Sequence, residues 1–326
     1  MVEKALVTGA GGFIGSHVVR ALLEKGQNVR AMLAPGENPI NLQGLDVELM
    51  NADLTSESDM QSAVKDCSVV YHLAAIYALW LKDPNRFYDV NVGGTNNLMK
   101  ACDEAGVEKI VHTSSIAAVG VTHDSTPATE DTPFSDYHIN DHYVLSKHRS
   151  EQEALSWARR GLPVVVVNPG FPFGAHDIRP TPTGRMIQDL LNKRLPGFPA
   201  GGLSAVDVED VATGHLLAAE KGRVGERYIL TGTNMTYKAF LEKAADVAGV
   251  RAPRFQIPTP LARVMSHGFV LGTKVFGVDP LMTPGLLDYI SRHLYYDNKK
   301  AREELGLKIT SLEKTLEKAI SFFRNR

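Results

Sequence analysis

Tyr143 and Lys147 stand four positions apart in HYVLSKHRSE, residues 142 to 151. That spacing brings two side chains to one face of a helix. A phenol beside an ammonium can exchange a proton with a substrate oxygen: a free tyrosine titrates near pH ~10, and a neighbouring positive charge favours the phenolate and lowers that value. Spacing alone selects nothing, since Tyr295 and Lys299, and Tyr296 and Lys300, repeat it. The neighbourhood does select. EKIVHTSSIAAVG carries Ser114 and Ser115 to the end of an apolar, β-branched run, and strand ends are where parallel α/β sheets assemble their sites. The helix with Tyr143 and Lys147 follows directly, opened by the cap-capable Asn140 and Asp141 and closing near Gly161. RHLYYDNKKARE has no serine-bearing strand end before it and reads as a structural strand or turn.

A second cluster opens the chain. ALVTGAGGFIGSHVVRALLEKG reads as strand, glycine turn and helix, with Gly9, Gly12 and Gly15 spaced as GxxGxxG and Phe13 and Ile14 between them. Glycines let the backbone approach a pyrophosphate, and the free amides and dipole of a helix N-terminus attract its charge. The context implies a dinucleotide cofactor. At the end of the second strand an acidic residue would suit the ribose of NAD and a basic one the extra phosphate of NADP. NVRAMLAPGENP offers Leu33, Ala34 and Pro35 there, so NADP(H) and NAD(H) both stay open. Arg30 could reach a phosphate if it turned into the site, although strand alternation favours solvent.

These residues need a scaffold, and the pattern predicts one. KALVTG, NVRAML, DVELMNADL, SVVYHLA, EKIVHTSS and PVVVVNP read as strands separated by amphipathic helices. The expectation is an α/β Rossmann fold, a doubly wound parallel sheet with helices on both faces. Val164 to Val167 is apolar throughout and belongs at its centre. After Asn168 the chain turns rich in proline and glycine and then helical, which suggests a smaller, mainly helical C-terminal substrate domain. VDVEDVATGHLLAAEKG and ERYILTG read as a helix and strand returning to the sheet. The expected division is 1–168 with 206–232 returning to it, against 169–205 and 233–326.

The formal net charge of -2 gives no reason to expect a nucleic-acid or anionic-membrane partner. No apolar run approaches the ~20 residues of a membrane span. No signal sequence opens the chain, and Cys67 and Cys102 suit a reduced compartment, so a cytoplasmic protein is expected. His72, His112, His142 and His148 lack metal-ligand spacing, and no metal is expected.

In order, TGAGGFIG, NADL, HLAA, NVGGTNNL, HTSS, YVLSK and VNPGFPFG resemble the extended branch of the short-chain dehydrogenase/reductase superfamily across nearly the whole chain. YALWLKDPNRFYDVNVGGTNNL, RPTPTGRMIQDLL and GLSAVDVEDVATGHLLA resemble a bacterial group known as hopanoid-associated sugar epimerases, which sits beside dihydroflavonol 4-reductase-like ketone reductases. The resemblance implies Tyr143 as general acid/base, Lys147 as its electrostatic partner and ligand of the nicotinamide ribose, and Ser115 as the hydroxyl holding the substrate oxygen, with Ser114 next in line. It assigns Asp53 and Leu54 to the adenine, Ala74 and Ala75 to the middle of the cofactor, Asn168 and Pro169 to the nicotinamide end, and Asn91 to bracing the site. Read from the residues, Asp53 could instead cap the helix after Thr55, and the alanines could be packing. The helices 85–105 and 141–160 resemble those of a family homodimer interface.

The reading is an NAD(P)H-dependent reductase of a ketone or aldehyde, hydride going to the carbonyl carbon and the Tyr143 proton to its oxygen. Tyr77, Leu79, Trp80, Phe171, Phe173 and Met186 are the pocket candidates and suit a hydrophobic small-molecule carbonyl substrate, or else are core. The alternative is a sugar-nucleotide epimerase or dehydratase that recycles a bound cofactor. Many such enzymes carry an arginine where this chain has Leu203, Ser204 and Ala205, leaving Arg179, Arg185 and Arg194 to hold a diphosphate. A non-catalytic cofactor sensor on the same fold is the third possibility.

Overall fold

The chain is described by a computed structural model over residues 4–78, 80–122, 124–139, 141–276, 280 and 282–326. Leu79 and Asn140 lie outside the described residues. Strands β1 (Lys4–Thr8), β2 (Asn28–Leu33), β3 (Glu48–Asn51), β4 (Val69–His72), β5 (Lys109–Thr113), β6 (Val164–Pro169) and, after two strands that lie elsewhere, β9 (Arg227–Leu230) form one sheet in the order β3-β2-β1-β4-β5-β6-β9. Every pairing in it is parallel. The two others, β7 (Phe171–Phe173) and β8 (Gly202–Asp207), join β10 (Thr233–Thr236) in a second sheet, where β8 is central.

Eleven helices are described: α1 (Phe13–Glu24), α2 (Glu57–Val64), α3 (Asn85–Tyr88), α4 (Gly94–Ala105), α5 (His142–Arg159), α6 (Pro182–Leu191), α7 (Val208–Lys221), α8 (Tyr237–Ala248), α9 (Thr259–Phe276), α10 (Pro284–Ile290) and α11 (Leu312–Arg324). Strand alternation sorts their packing. Val165 and Val167 of β6 join the core beneath α1 and α7, whereas Val164 and Val166 join the core beneath α2, α4 and α5. A strand apolar at every position is what a sheet covered on both faces demands, and each fully buried valine is worth about 1.5–3 kcal/mol. The doubly wound Rossmann architecture is therefore present. No described helix is long and apolar enough to cross a membrane.

The second sheet is where the structure adds to the expectation of a mainly helical lobe. Phe171–Phe173 lies in the proline- and glycine-rich stretch, and Gly202–Asp207 runs into the segment expected to be helical, yet both are strands. Pro172 has no amide to donate, and β7 tolerates it because it is an edge strand. Helices α6, α8 and α11 cover this sheet with Ile187, Phe240 and Leu316. The chain passes between the sheets three times: through Gly170, where β8 hands over to α7 after Asp207, and through residues 231–232. Phe171 and Thr233 both pair with Ala205, which gathers two of these crossings at one point.

Tyr295 and Tyr296 do not share a helix with their lysines. Tyr296 is buried and donates its hydroxyl to the Ile116 carbonyl at 3.2 Å, while Lys300 pairs with Glu226.

Candidate functional site

A cleft of about 700 Å3 runs along the C-terminal ends of the first sheet and under the second. Its floor at one end is the turn from β1 into α1. Gly9 has φ +65°, and a Cβ there would sit 2.9 Å from the Ala74 backbone. A Cβ at Gly15 would lie 2.1 Å from the Gly9 carbonyl oxygen. Neither position admits a side chain, so the α1 N-terminus stays open to the cleft, capped by Gly12 with no side-chain acceptor and no acid in its first turn. Gly9, Gly12, Phe13, Ile14 and Gly15 all line the cleft. This bare, dipole-bearing cradle fits the pyrophosphate of a dinucleotide.

Beyond β2, the residue that sequence reading missed is Glu37. Its carboxylate accepts from the Ala34 amide at 3.1 Å, and a Cβ on Gly11 would lie 2.6 Å from its Oε1. An acid thus stands at the mouth of the glycine turn, supplied by the loop rather than by the strand end. Arg30 requires correction. It lines no part of the cleft, and it does not face solvent either: its guanidinium pairs with Glu48 at 2.8 Å and donates to the carbonyls of Ala63 and Lys65. Buried with these partners, it fastens α2 to the sheet.

Asp53, Leu54, Ala74 and Ala75 line the cleft. The Asp53 carboxylate accepts from the amide and hydroxyl of Thr55, which lower its pKa. The cap of α2 is Ser56, which accepts from the Asp59 amide, so capping is not the task of Asp53. Thr8 Oγ1 accepts from the amides of Leu73 and Ala74 and ties this segment to β1. Asn91 reaches the cleft only indirectly. It sits in a π turn, Asp89–Gly93, between α3 and α4, and such an extra residue redirects a side chain off the regular helix face. Its Oδ1 accepts from the Ile76 amide at 2.7 Å, and its Nδ2 donates to the Ile76 carbonyl and to Ser146 on α5.

Asp141 caps α5 by accepting from Val144, and the helix presents Tyr143 and Lys147 to the cleft beside Ser115 at the end of β5. The Tyr143 ring lies 5.0 Å from that of Tyr77. Burial pushes the Tyr143 hydroxyl up to about 12, opposed by a hydrogen bond with Ser115 and reinforced by Asp141. Burial, rather than the Lys147 charge, sets the direction of this shift, and the ammonium donates to the Thr113 carbonyl at 2.8 Å. The phenol consequently keeps its proton at neutral pH. Lys147 is itself brought down to about 8 by burial, with Glu151 acting in the opposite direction.

Glu151 is the second residue that sequence reading missed, although its spacing of four from Lys147 was visible. It is fully buried and accepts from Arg227 at 2.8 Å and from Asn168 Nδ2 at 2.6 Å. The same Asn168 nitrogen donates to the Ser115 carbonyl at 2.9 Å. Asn168 thus stands behind the cleft rather than on its lining, while Pro169 lines it.

The substrate-side candidates divide. Tyr77 and Phe171 line the cleft, joined by Asp177, Arg179 and Tyr289. Phe173 does not: its ring packs tilted against Phe240 at 4.6 Å in the core of the second sheet, because β7 carries it away from the opening. Met186 packs against that same core, and Trp80 is half-buried outside the lining. Leu203, Ser204 and Ala205 are buried in β8, and Arg185 donates to the Pro180 carbonyl, leaving Arg179 as the cleft cation among those three arginines.

The sequence pattern of the "NAD dependent epimerase/dehydratase family" matches residues 5–230. The chain is 37% identical to the "Putative dihydroflavonol 4-reductase" of Synechocystis over all of its own length and 96% of that protein. It is 35% identical to "Sterol demethylase protein B" of Methylococcus capsulatus, covering 98% of each. The crystal structure of gox2253 superimposes with a TM-score of 0.89 at 38% identity, covering 99% of this chain and 98% of that one. With the glycine cradle, the Ser115, Tyr143 and Lys147 cluster and the seven-stranded parallel sheet in place, the chain belongs to the NAD-dependent epimerase/dehydratase family, the extended short-chain dehydrogenases/reductases.

Proposed function

We propose that the protein reduces a ketone or aldehyde on a hydrophobic small molecule. The observation that carries this reading is the cleft wall at Tyr143: a phenol hydrogen-bonded with Ser115, with the Tyr77 ring tilted against it 5.0 Å away and Phe171 lining the same cleft. A bound nicotinamide dinucleotide supplies the hydride in this chemistry. The chain's own residues manage the oxygen. Ser115 holds it by hydrogen bond, Tyr143 delivers its proton as negative charge develops there, and Lys147, fixed on the Thr113 carbonyl, stabilises the phenolate that remains. A phenol that keeps its proton is a competent donor to an alkoxide, a stronger base than the phenolate it leaves. The names of the relatives point the same way, toward a reductase and a sterol-processing protein.

We further propose NAD(H) as the preferred coenzyme. A carboxylate at Glu37 can accept from ribose hydroxyls and repels a 2′-phosphate, and the cations lining the cleft, Arg86, Lys147 and Arg179, come from other segments. Asp53 faces Arg86 and contains part of its charge.

Incubating the protein with NADH, NADPH and panels of ketones, aldehydes and UDP-sugars tests the reading. Stoichiometric loss of NADH absorbance with an apolar carbonyl supports it. Interconversion of UDP-sugars with no net change in absorbance would replace it with the epimerase alternative, for which Arg179 is the available phosphate ligand.

A further inference from the structure

Helix α9 is built inside out. Among its described side chains Leu261, Val264, Met265 and Leu271 are 53%, 70%, 45% and 63% exposed. Ser266 is buried and satisfies its hydroxyl on the Arg263 carbonyl, and Thr273, half-buried, does the same on Phe269. At 100° per residue the exposed apolar positions, with Gly268 and Gly272, fall in one stripe, while Ala262, Ser266, Phe269 and Thr273 form the face turned inward. Arg263 and His267 flank the stripe on one edge, and Phe255, 74% exposed, adds an aromatic just ahead of the helix. Water is a poor neighbour for such a face, and contiguous apolar surface of this kind marks an interaction site.

Charge says what covers it. Between Asp246 and Asp279 the sequence contains Arg251, Arg254, Arg263 and Lys274 and no acidic residue. Arg251 and Arg254 are exposed. Arg263 pairs with Asp288 of α10, the acid that faces it from the packed helix. Two copies meeting through this face would stack like charges, whereas an anionic surface complements them. Exposed arginines just ahead of an apolar helix stripe suit a helix lying in a bilayer interface.

We propose that α9 and Phe255 dock the protein on anionic lipid surfaces. No described helix is long and apolar enough to cross a bilayer, and a surface contact does not require one. α9 packs on α10, whose Tyr289 lines the cleft, so the docked face and the reaction cleft are one helix apart. The inference does not depend on the reductase reading, because vesicle binding is measured without turnover.

The test is co-sedimentation with vesicles of phosphatidylglycerol and phosphatidylcholine, and with phosphatidylcholine alone, comparing the full chain with the double variant Val264→Glu and Leu271→Glu. The expected result is binding to the phosphatidylglycerol vesicles that weakens as salt is raised and falls about tenfold or more in the variant. Far-UV circular dichroism and Tm should be the same in both proteins, which shows that the variant is folded. Wild-type protein left in the supernatant, equal binding by the variant, or equal binding to phosphatidylcholine alone overturns the proposal. So does light scattering that finds a dimer which the substitutions dissociate, without vesicle binding.

Discussion

Lys147 and Glu151 occupy successive turns of one face of α5, both buried, and the carboxylate raises the proton affinity of the ammonium against the pull of desolvation. The pair links the reacting face of the site to a buried frame in which Asn168 holds the Ser115 carbonyl and Arg227 neutralises Glu151.

Lys147 therefore loses its proton as pH rises through about 8, and kcat/KM should fall on that alkaline limb. Glu151→Gln removes the opposing charge while retaining the hydrogen-bonding shape. The limb should move to lower pH by about one unit, with a stability cost of about 1–3 kcal/mol from the unpaired Arg227. Profiles that superimpose would remove Glu151 from any role at Lys147.

Tyr143→Phe should lower turnover roughly 10²–10⁴-fold, the usual share of a general acid. Ser115→Ala, which deletes one oxygen-holding donor, should cost less. Dinucleotide affinity, read by fluorescence titration, should stay within a few-fold in the Phe variant. Undiminished turnover there would assign the proton to another group.

Glu37→Ala should narrow the preference for NADH over NADPH, and Glu37→Arg should reverse it. The direct readout is the dissociation constant of each dinucleotide on the protein without substrate. A ratio unmoved by either substitution sinks the coenzyme assignment.

Acid stability follows from the buried histidines. Desolvation holds His72 down to about 3, His215 to about 4 and His112 well below its ordinary value of 6.5. They are neutral in the fold and take up protons on unfolding below 6.5. Their contribution is present above that pH and is lost as pH falls toward 4, by up to about 1.4 kcal/mol per pH unit for each group. Calorimetry should show Tm dropping across this interval. A flat Tm would mean that the histidines titrate in place.

Much of the fold was legible because parallel strands covered on both faces leave unbroken apolar runs such as Val164–Val167. The Ser115, Tyr143, Lys147 and glycine positions were legible because their spacing is local. Long-range partners were not. The residues left Arg30 open between site and solvent and Phe173 between pocket and core, and only the partners Glu48 and Phe240 place them. Glu37 escaped because the loop, rather than the strand end, delivers its carboxylate, and β7 was hidden by a proline whose tolerance depends on edge position.

The three passages of the chain between the sheets have a mechanical consequence. A single connection would leave two bodies free to swivel, but here Gly170, Asp207 and residues 231–232 cross close together, with the Gly170 amide donating to Leu230 at 3.0 Å. Three crossings along one seam oppose twist and slide between the sheets, so the Phe171 side of the cleft is held in register with the β6 end of the Tyr143 side.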